Sequence, residues 1–413
     1  MQCKVFELDI KNKIRNLDIE AKGVVSSTKH FPVFQKEGTE IIFKPLSKTK
    51  PYSTPLFAYS EVYWSYLMNR FFDQSTPIYK LAICKGLTKE QPKYYEKGCI
   101  VDNILNRDEK LINLLELFKK YPDSNIDISK YVNYCEVQYD YEKILKSDFF
   151  RSNPELGAQL AYQILCSILR RDDNYHYENV SFIEKNGKIL RIAPMIDMEF
   201  SEMFMLPDEL EKHQENFSKY DIGMGPRFKY NDDLSFEDNY IIFNHKLNNG
   251  SIYDRIDDYE FYNLRKNINT ITKLYPNVCK EFLKRLVNLR EYIEKEEITF
   301  DEDFLGEFSS FDWLPTRMIL KEGISKDSLE YISALNYVNN NKRKLDTKKF
   351  NERLRKEVLW SIDKLTYILK LCLNNNKGYT TGIMDYDNST LYKQEKNNEE
   401  EAIRQKVFEK KID

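Results

Sequence analysis

Two aspartates, a histidine and several asparagines stand close together in the stretch from Arg170 to Asp197. It reads RRDDNYHYENVSFIEKNGKILRIAPMID, so a polar loop is followed by two apolar segments and a final aspartate. Phosphoryl transfer needs a carboxylate beside the attacking hydroxyl, and an asparagine and a second carboxylate that bind magnesium. Asp and Asn are also favoured in ordinary turns. The stretch therefore indicates either a phosphoryl-transfer loop or a plain polar turn, and the surrounding elements must decide between them.

The composition is that of a soluble globular protein. Of the 413 residues, 41% are hydrophobic and 31% are charged. A chain of this length can form two or three structural units. Basic and acidic residues nearly cancel, at 63 against 66. The chain has no excess positive charge that would attract nucleic acid, so we expect no direct nucleic-acid binding.

The cysteines and the first residues bear on the compartment. The seven cysteines are scattered and form no CxxC pair, which argues against a zinc site and against a disulfide framework. The start, MQCKVFELDIKNKIR, lacks the apolar segment of a signal peptide, and no apolar run approaches the length of a membrane span. We therefore expect a cytoplasmic protein without a membrane segment. Secretion by a route without a signal peptide stays open.

Residues 1–100 predict a strand-rich unit with one helix. Apolar and acidic residues alternate over Phe6–Ile10, and His30–Gln35 and Glu40–Pro45 read as two strands joined by a short turn. Over Leu56–Phe71 the apolar residues recur at helical spacing. Further strands are predicted at Ile78–Cys84 and Gly98–Val101.

Beyond Val101 the pattern is mainly helical. Asn153-Pro154-Glu155 opens a helix that runs to Arg170 and leads into the polar loop. Asn186-Gly187 is a strong signal for a hairpin turn between two short strands, Val180–Ile183 and Ile189–Ile192. Helices are also predicted at Leu111–Lys120, Tyr131–Leu145, Tyr262–Leu274, Val278–Glu294, Lys326–Val338 and Thr347–Leu373, with irregular chain over 205–255.

These patterns divide the chain into four parts. A strand-rich unit (1–100) precedes a larger helical unit (101–300), a helical extension (301–384) and a charged, Asn-rich tail (385–413). The tail is predicted to be disordered or a frayed helix. The fold class is thus α+β. The predicted elements follow one another in the order of a two-lobed kinase. This order is a strand pair with a lysine, a helix with a glutamate, more strands, helices, a polar loop, a hairpin and an aspartate.

Lys44 and Glu61 occupy the first positions in that order. Lys44 ends the apolar strand segment Ile41-Ile42-Phe43, where an ammonium group can reach the α and β phosphates of ATP. Glu61 lies on the following helix, where it can hold the lysine as an ion pair. Either residue alone would be an ordinary surface group. Their position ahead of the polar loop favours the functional interpretation.

These residues resemble the HipA-like serine/threonine kinases, in particular their compact, CtkA-like bacterial branch. The matching stretches, over roughly residues 20–295, are GVVSSTKHFPVF, IIFKPLS, LFAYSEVYWSYL, LAYQILCSILRRDDNYHYENVSF and LRIAPMIDMEFS. The resemblance implies a two-lobed kinase fold in which residues 1–100 are the N-terminal lobe and residues 101–300 the C-terminal lobe. It also implies that ATP and magnesium bind between the lobes and that phosphate passes to a protein Ser or Thr.

The resemblance implies a role for each matching position. Lys44 would bind the nucleotide phosphates, and Gly23–Thr28 would be the loop that covers them. Within that loop the hydroxyl residues would contact phosphate and are candidates for autophosphorylation, although they also suit an ordinary turn. These residues are Ser26, Ser27 and Thr28. Asn179 and Asp197 would bind magnesium, which prefers oxygen ligands.

The polar loop departs from the family pattern at one position. The pattern is D-x-H-x-x-N, and His176 and Asn179 keep their spacing, but Asn174 stands where the aspartate belongs. We take Asp173 as the catalytic carboxylate, because the loose transition state of phosphoryl transfer depends more on positioning than on basicity; Asp172 is the alternative. His176 is expected to brace the loop by hydrogen bonding rather than to transfer a proton.

The sequence therefore predicts an ATP- and magnesium-dependent Ser/Thr protein kinase that can also phosphorylate itself. One alternative is another transferase on the same fold, which would act on a lipid or small molecule or would transfer AMP. The other is a non-catalytic pseudokinase or toxin–antitoxin-type interaction module with an antitoxin-like or regulatory protein partner. Asn174 is the main support for this last interpretation.

Overall fold

Six strands form one sheet in the N-terminal part of the chain. They are β1 (Phe6–Asp9), β2 (Lys13–Ala21), β3 (Ser27–Lys36), β4 (Thr39–Pro45), β5 (Lys80–Lys85) and β6 (Tyr95–Asp102). Their order across the sheet is β1-β5-β6-β4-β3-β2. β1 and β5 are parallel, and the other neighbours are antiparallel. The predicted strand pair around the turn at Gly38 is confirmed as β3 and β4.

This computed structural model describes most of the chain up to residue 374. The described residues are 1–21, 27–36, 38–46, 54–72, 77–86, 95–106, 108–126, 141–172, 179–195, 198, 201–206, 267–309, 311–312, 314–320 and 323–374. The predicted tail and most of the irregular region over 205–255 lie outside these ranges.

Helix α1 (Pro55–Phe72) packs against one face of the sheet. On that face, the Cys99 thiol of β6 donates to the carbonyl oxygen of Ala58 at 3.4 Å. The other face is also apolar, because Ile41 and Phe43 of β4 are buried there against residues of β3, β5 and β6. Alternate side chains of β4 therefore point to opposite faces, as a strand requires. The helix predicted from Leu56 onward is confirmed.

A second sheet contains three antiparallel strands, β7 (Glu109–Asn113), β8 (Ser181–Lys185) and β9 (Lys188–Ile192). The turn between β8 and β9 has positive φ at both central residues, 51° at Asn186 and 79° at Gly187. Two such residues form the type I′ turn that matches the twist of a hairpin. The predicted Asn-Gly hairpin is thus confirmed.

One helix prediction is wrong in its first three residues. We expected a single helix over Leu111–Lys120, but β7 runs to Asn113 and helix α2 covers only Leu114–Lys120. Asn113 caps this helix, because its side chain accepts from the Glu116 N–H at 2.9 Å and its own N–H donates to the Glu116 carboxylate at 3.1 Å. Short apolar runs are ambiguous between helix and strand. The pairing with β8, which a local pattern does not show, decides for the strand.

The rest of the described chain is mainly helical. The helices are α3 (Tyr141–Leu145), α4 (Asp148–Ser152), α5 (Pro154–Arg170), α6 (267–274), α7 (Pro276–Ile293), α8 (Glu302–Leu305), α9 (Leu314–Leu320), α10 (Leu329–Asn340) and α11 (Thr347–Asn374), with a strand pair of β10 (Glu307–Phe308) and β11 (Arg343–Lys344). Helices α1, α5, α7 and α11 share the main core. The buried apolar side chains of α11 that recur at helical spacing are Phe350, Leu354, Val358, Ile362, Leu365 and Leu369.

The chain just after α7 returns to the strand-rich part. Gln2 forms a parallel bridge with Thr299, whose N–H donates to the Met1 carbonyl oxygen at 2.8 Å. The Asp301 N–H donates to the Tyr59 hydroxyl of α1 at 2.7 Å. A strand-rich N-terminal part and a helical remainder are compatible with a two-lobed kinase-like fold. Among the helices described, none has both the length and the apolar character that a membrane span needs.

Candidate functional site

The predicted contact between Lys44 and Glu61 is present. Lys44 Nζ donates to Glu61 Oε1. Lys44 pairs with Cys99 of β6 and therefore shares the sheet face that packs against α1. Glu61 follows Ala58 by three residues on that helix, and so lies on the same side of it. The Lys44 side chain is 17% exposed and that of Glu61 is 1% exposed, so the carboxylate is buried and the ammonium group lies nearer the surface.

Gly98 allows the strand of Lys44 to lie close to β6. A β-carbon at Gly98 would lie 2.8 Å from the Pro45 Cα and closer still to the Lys44 carbonyl oxygen. Real β-carbons do not approach backbone atoms so closely. A glycine is therefore required opposite Pro45, and it helps to set the position of Lys44.

Helix α1 also holds the segment that follows the predicted metal ligand Asp197. The second carboxylate oxygen of Glu61, Oε2, accepts from the Met198 N–H at 2.8 Å. The neighbouring Ser60 hydroxyl donates to the Met198 carbonyl oxygen at 2.7 Å. All three residues are buried. Two consecutive helix residues thus fix both backbone polar groups of Met198, and one of them is the partner of Lys44.

Asn179 lies in the turn just before β8. At this end of the hairpin, the Ala193 N–H donates to the Ser181 carbonyl oxygen at 2.8 Å, so the two strands stay paired beyond β9. The Gln163 side chain of α5 donates to the Ala193 carbonyl oxygen at 2.8 Å and anchors this end. The chain therefore enters the hairpin just after Asn179 and leaves it through Ala193 at the same end.

The start of the polar loop is fixed by a buried ion pair. Helix α5 ends at Arg170, and the following residue Arg171 caps it in the left-handed conformation, with a φ of 50°. The next residue, Asp172, is 2% exposed, and its Oδ2 accepts from Arg170 Nη2 at 2.6 Å. Asp172 also forms an antiparallel bridge with Ser201, whose hydroxyl donates to the Arg170 carbonyl oxygen at 2.6 Å. Asp172 therefore has a structural partner, which favours Asp173 as the carboxylate for chemistry.

Several predicted site residues lie outside the described part of the chain. These are Ser26, Asp173, His176 and Asp197. Ser27 and Thr28 are described, and their predicted place in a loop is wrong. Both belong to β3, where Ser27 pairs with Ala21 and Thr28 with Glu20. The pairing between β2 and β3 continues as far as Ala21 and Ser27, which is further than the small residues of Gly23–Thr28 indicated.

Sequence reasoning missed Ser60, Gly98 and the backbone of Met198. Ser60 is one of several small polar residues on α1, and nothing in its spacing distinguishes it. A glycine at the start of a predicted strand was the available signal for Gly98, because such glycines often mark a close backbone approach. Backbone groups carry no signal in a sequence.

Thiol chemistry has no support among the described residues. Burial raises the pKa of Cys84 and of Cys279 to about 12, and that of Cys3 to about 11. A thiol with such a pKa stays protonated at neutral pH and is a poor nucleophile. Within the described ranges no three His, Cys, Asp or Glu side chains lie together as a metal-binding group, whereas the predicted pair of Asn179 and Asp197 falls only partly within them.

Comparison with solved structures finds a distant similarity to a bacterial kinase. The crystal structure of the proinflammatory kinase CtkA from Helicobacter pylori matches with a TM-score of 0.37 and 12% sequence identity, over 80% of this chain and 98% of that chain. A match at this level does not establish a shared fold or activity. No protein-family model matches the chain, and no curated protein matches it.

Proposed function

We propose that this protein is an ATP- and magnesium-dependent kinase that phosphorylates Ser or Thr residues of a protein. The observation that carries the proposal is the double contact of Glu61. One carboxylate oxygen binds Lys44 and the other binds the backbone of Met198. A buried carboxylate needs a hydrogen-bond partner on each oxygen whatever its role, so the proposal depends on which groups supply these partners. Here a buried carboxylate joins the predicted phosphate-binding lysine to the residue after the predicted metal ligand Asp197.

The residues fit the groups they would bind. Lys44 carries a point charge suited to phosphate oxygens, and Glu61 would keep it directed toward them. Asn179 and Asp197 offer the oxygen ligands that magnesium prefers, and they leave coordination positions for water and phosphate. Magnesium, when bound, would neutralise the negative charge on the phosphate oxygens.

The remaining residues would act on the acceptor. As the Ser or Thr oxygen of the substrate attacks the γ-phosphorus, Asp173 would orient the hydroxyl group and accept its proton. The new O–P bond forms while the bond to the oxygen between the β and γ phosphates breaks, and ADP leaves. His176 would brace the loop. Because β3 holds Ser27 and Thr28 in its ladder, we expect self-phosphorylation at Ser26.

The direct test uses γ-labelled ATP, magnesium and a generic protein acceptor. We expect label to pass to protein with the wild type, and to be lost in Lys44→Met and in Asp197→Ala. Lys80→Met is the matched control, because Lys80 is an exposed lysine on the adjacent part of the same sheet. Label that persists in Asp197→Ala would contradict the assignment.

Two further measurements separate the alternatives. Transfer from α-labelled ATP would indicate AMP transfer, and label in a lipid or small molecule would indicate a different acceptor. Asn174 favours a non-catalytic pseudokinase or interaction module as the second candidate. Such a protein would transfer no label. A thermal stability that does not rise with magnesium-ATP would favour it, because a ligand that binds only the folded state stabilises that state.

A further inference from the structure

Helix α11 carries a buried carboxylate that contacts the start of the polar loop. Glu357 is 5% exposed. Its Oε2 accepts from Arg171 Nη1 at 3.1 Å, and its Oε1 lies 3.5 Å from Arg353 Nε. Both arginine side chains are largely buried, with 13% and 14% exposure. One carboxylate therefore lies between two guanidinium groups, where water screens the attraction only weakly.

Arg353 extends this network to the segment after Met198. Its Nη2 donates to the Met205 carbonyl oxygen at 2.6 Å and to the Met203 carbonyl oxygen at 3.3 Å. That segment begins at Ser201, which forms the bridge with Asp172. Arg171 and Arg353 thus connect Glu357 to the chain on both sides of this bridge.

Two more side chains of α11 contact the end of α5. The Ser361 hydroxyl donates to the Leu169 carbonyl oxygen at 2.8 Å. Carbonyl groups at a helix end lack partners within the helix, and Ser361 supplies one. The Arg171 guanidinium group also lies over the Trp360 ring, 5.6 Å from its centroid.

These contacts meet at a residue with left-handed backbone. Arg171 has a φ of 50°, a left-handed conformation that a residue with a β-carbon adopts reluctantly. Such conformations persist where surrounding contacts hold them, and they are frequent at functional sites. The direction in which the chain leaves α5 at Asp172 depends on this residue.

We infer that Glu357 is a positioning residue for the loop that carries Asp173, acting through Arg171 and Arg353 without touching the substrate. The inference rests on the proposed kinase function. It makes helix α11, in the part of the sequence predicted as an extension, a component of the active centre.

The test compares Glu357→Gln with Glu352→Gln. Glu352 is an exposed residue of the same helix, so its variant carries the same change without the network. We expect kcat to fall at least tenfold in Glu357→Gln, because small displacements of a catalytic group cost rates of that order. The KM for ATP should stay within about twofold, because Lys44 is held by α1 instead. An unchanged kcat, or an equal loss in Glu352→Gln, would overturn the inference.

A double variant tests the route. If Glu357 acts through Arg171, then Arg171→Met combined with Glu357→Gln should lower kcat no further than the larger single effect. If the fold-losses in kcat of the two single variants instead multiplied in the double variant, this route would be contradicted. Arg353→Lys provides a variant that is expected to fold, because the positive charge beside Glu357 stays. The guanidinium nitrogen that donates to the backbone carbonyl oxygens is lost. This variant should also lower kcat at constant KM.

Hydrogen exchange separates this inference from the proposed function. Backbone amides of residues 169–172 and 201–206 should exchange faster in Glu357→Gln than in Glu352→Gln, because both segments depend on the network. A wild type that transfers no phosphate would sink the proposed function, and exchange would then decide alone whether Glu357 positions the loop. Equal exchange in the two variants would refute the positioning role.

Discussion

The carboxylate of Glu61 accepts a hydrogen bond from the Met198 N–H at 2.8 Å, although the two residues stand 137 positions apart. Since the same carboxylate binds Lys44, a shift of α1 would disturb the lysine and the segment after Asp197 together. The phosphate-binding and metal-binding ends of the proposed site are therefore coupled through one side chain.

Replacement of Glu61 by Gln tests this coupling. The variant loses the charge that holds Lys44 but keeps an oxygen for the Met198 N–H. We expect the transfer rate to fall about a hundredfold, because the phosphates lose a positioned cation. Label transfer from γ-labelled ATP measures the effect. Glu291→Gln, at an exposed position of α7, should transfer label at the wild-type rate; equal rates in both variants would show that the ion pair has no role in transfer.

Ser60→Ala removes the other contact to Met198. The buried Met198 carbonyl oxygen would lose its donor, at a cost of about 1–3 kcal/mol in the free energy of unfolding. Ser65→Ala is the matched control, because the Ser65 hydroxyl is equally buried on α1 but accepts from the Tyr79 N–H at 3.1 Å. We expect similar losses of stability in urea unfolding but a lower transfer rate only in Ser60→Ala. A rate loss in both variants would point to general loosening of α1.

Gly98→Ala should displace the strand that carries Lys44. The added methyl group would meet the backbone of Lys44 and Pro45, and such overpacking costs about 1–3 kcal/mol. The stabilisation that magnesium-ATP gives in thermal unfolding should then decrease. Gly38→Ala is the control, because its φ of 85° imposes backbone strain but nothing lies within 4 Å of the new group. That variant should lose stability and keep its response to magnesium-ATP.

The stability of the three-stranded sheet should depend on pH through Glu184. Hydrogen bonds from Lys120 and Lys110 hold the pKa of this carboxyl below its ordinary value of 4.5. A group whose pKa is lower in the folded state stabilises the fold above its unfolded pKa, and the contribution is lost as the pH falls through the folded pKa. Glu184→Gln should therefore cost about 1 kcal/mol at pH 7, and the difference from wild type should shrink below pH ~4.

Thermal unfolding at several pH values measures that difference. Glu294→Gln serves as the comparison, because the exposed Glu294 carboxylate forms an i,i+4 pair with Arg290 at the end of α7. Such pairs contribute little, so this variant should stay close to wild type throughout. A cost for Glu184→Gln that stayed constant with pH would refute the electrostatic origin.

Local patterns were enough to predict several of the elements that surround the candidate site. The strand pair β3 and β4, the Asn186-Gly187 turn, the apolar spacing of α1 and the start of α5 at Pro154 each reflect interactions between near neighbours, and each prediction is confirmed. Lys44 and Glu61 followed because a strand and the next helix pack together. Patterns did not reveal Met198 as a partner of Glu61, nor Glu357 as a partner of Arg171 from 186 positions away. Contacts so distant in sequence depend on the complete fold.

The bridge between Gln2 and Thr299 constrains the order in which this protein can fold. During synthesis the N-terminal sheet emerges long before Thr299, so one of its neighbours is missing until the helical part has left the ribosome. Contacts of such high sequence separation slow folding, because a long loop must close before they form. A fragment that ends before Thr299 would leave the first residues and Tyr59 without partners that the described chain provides.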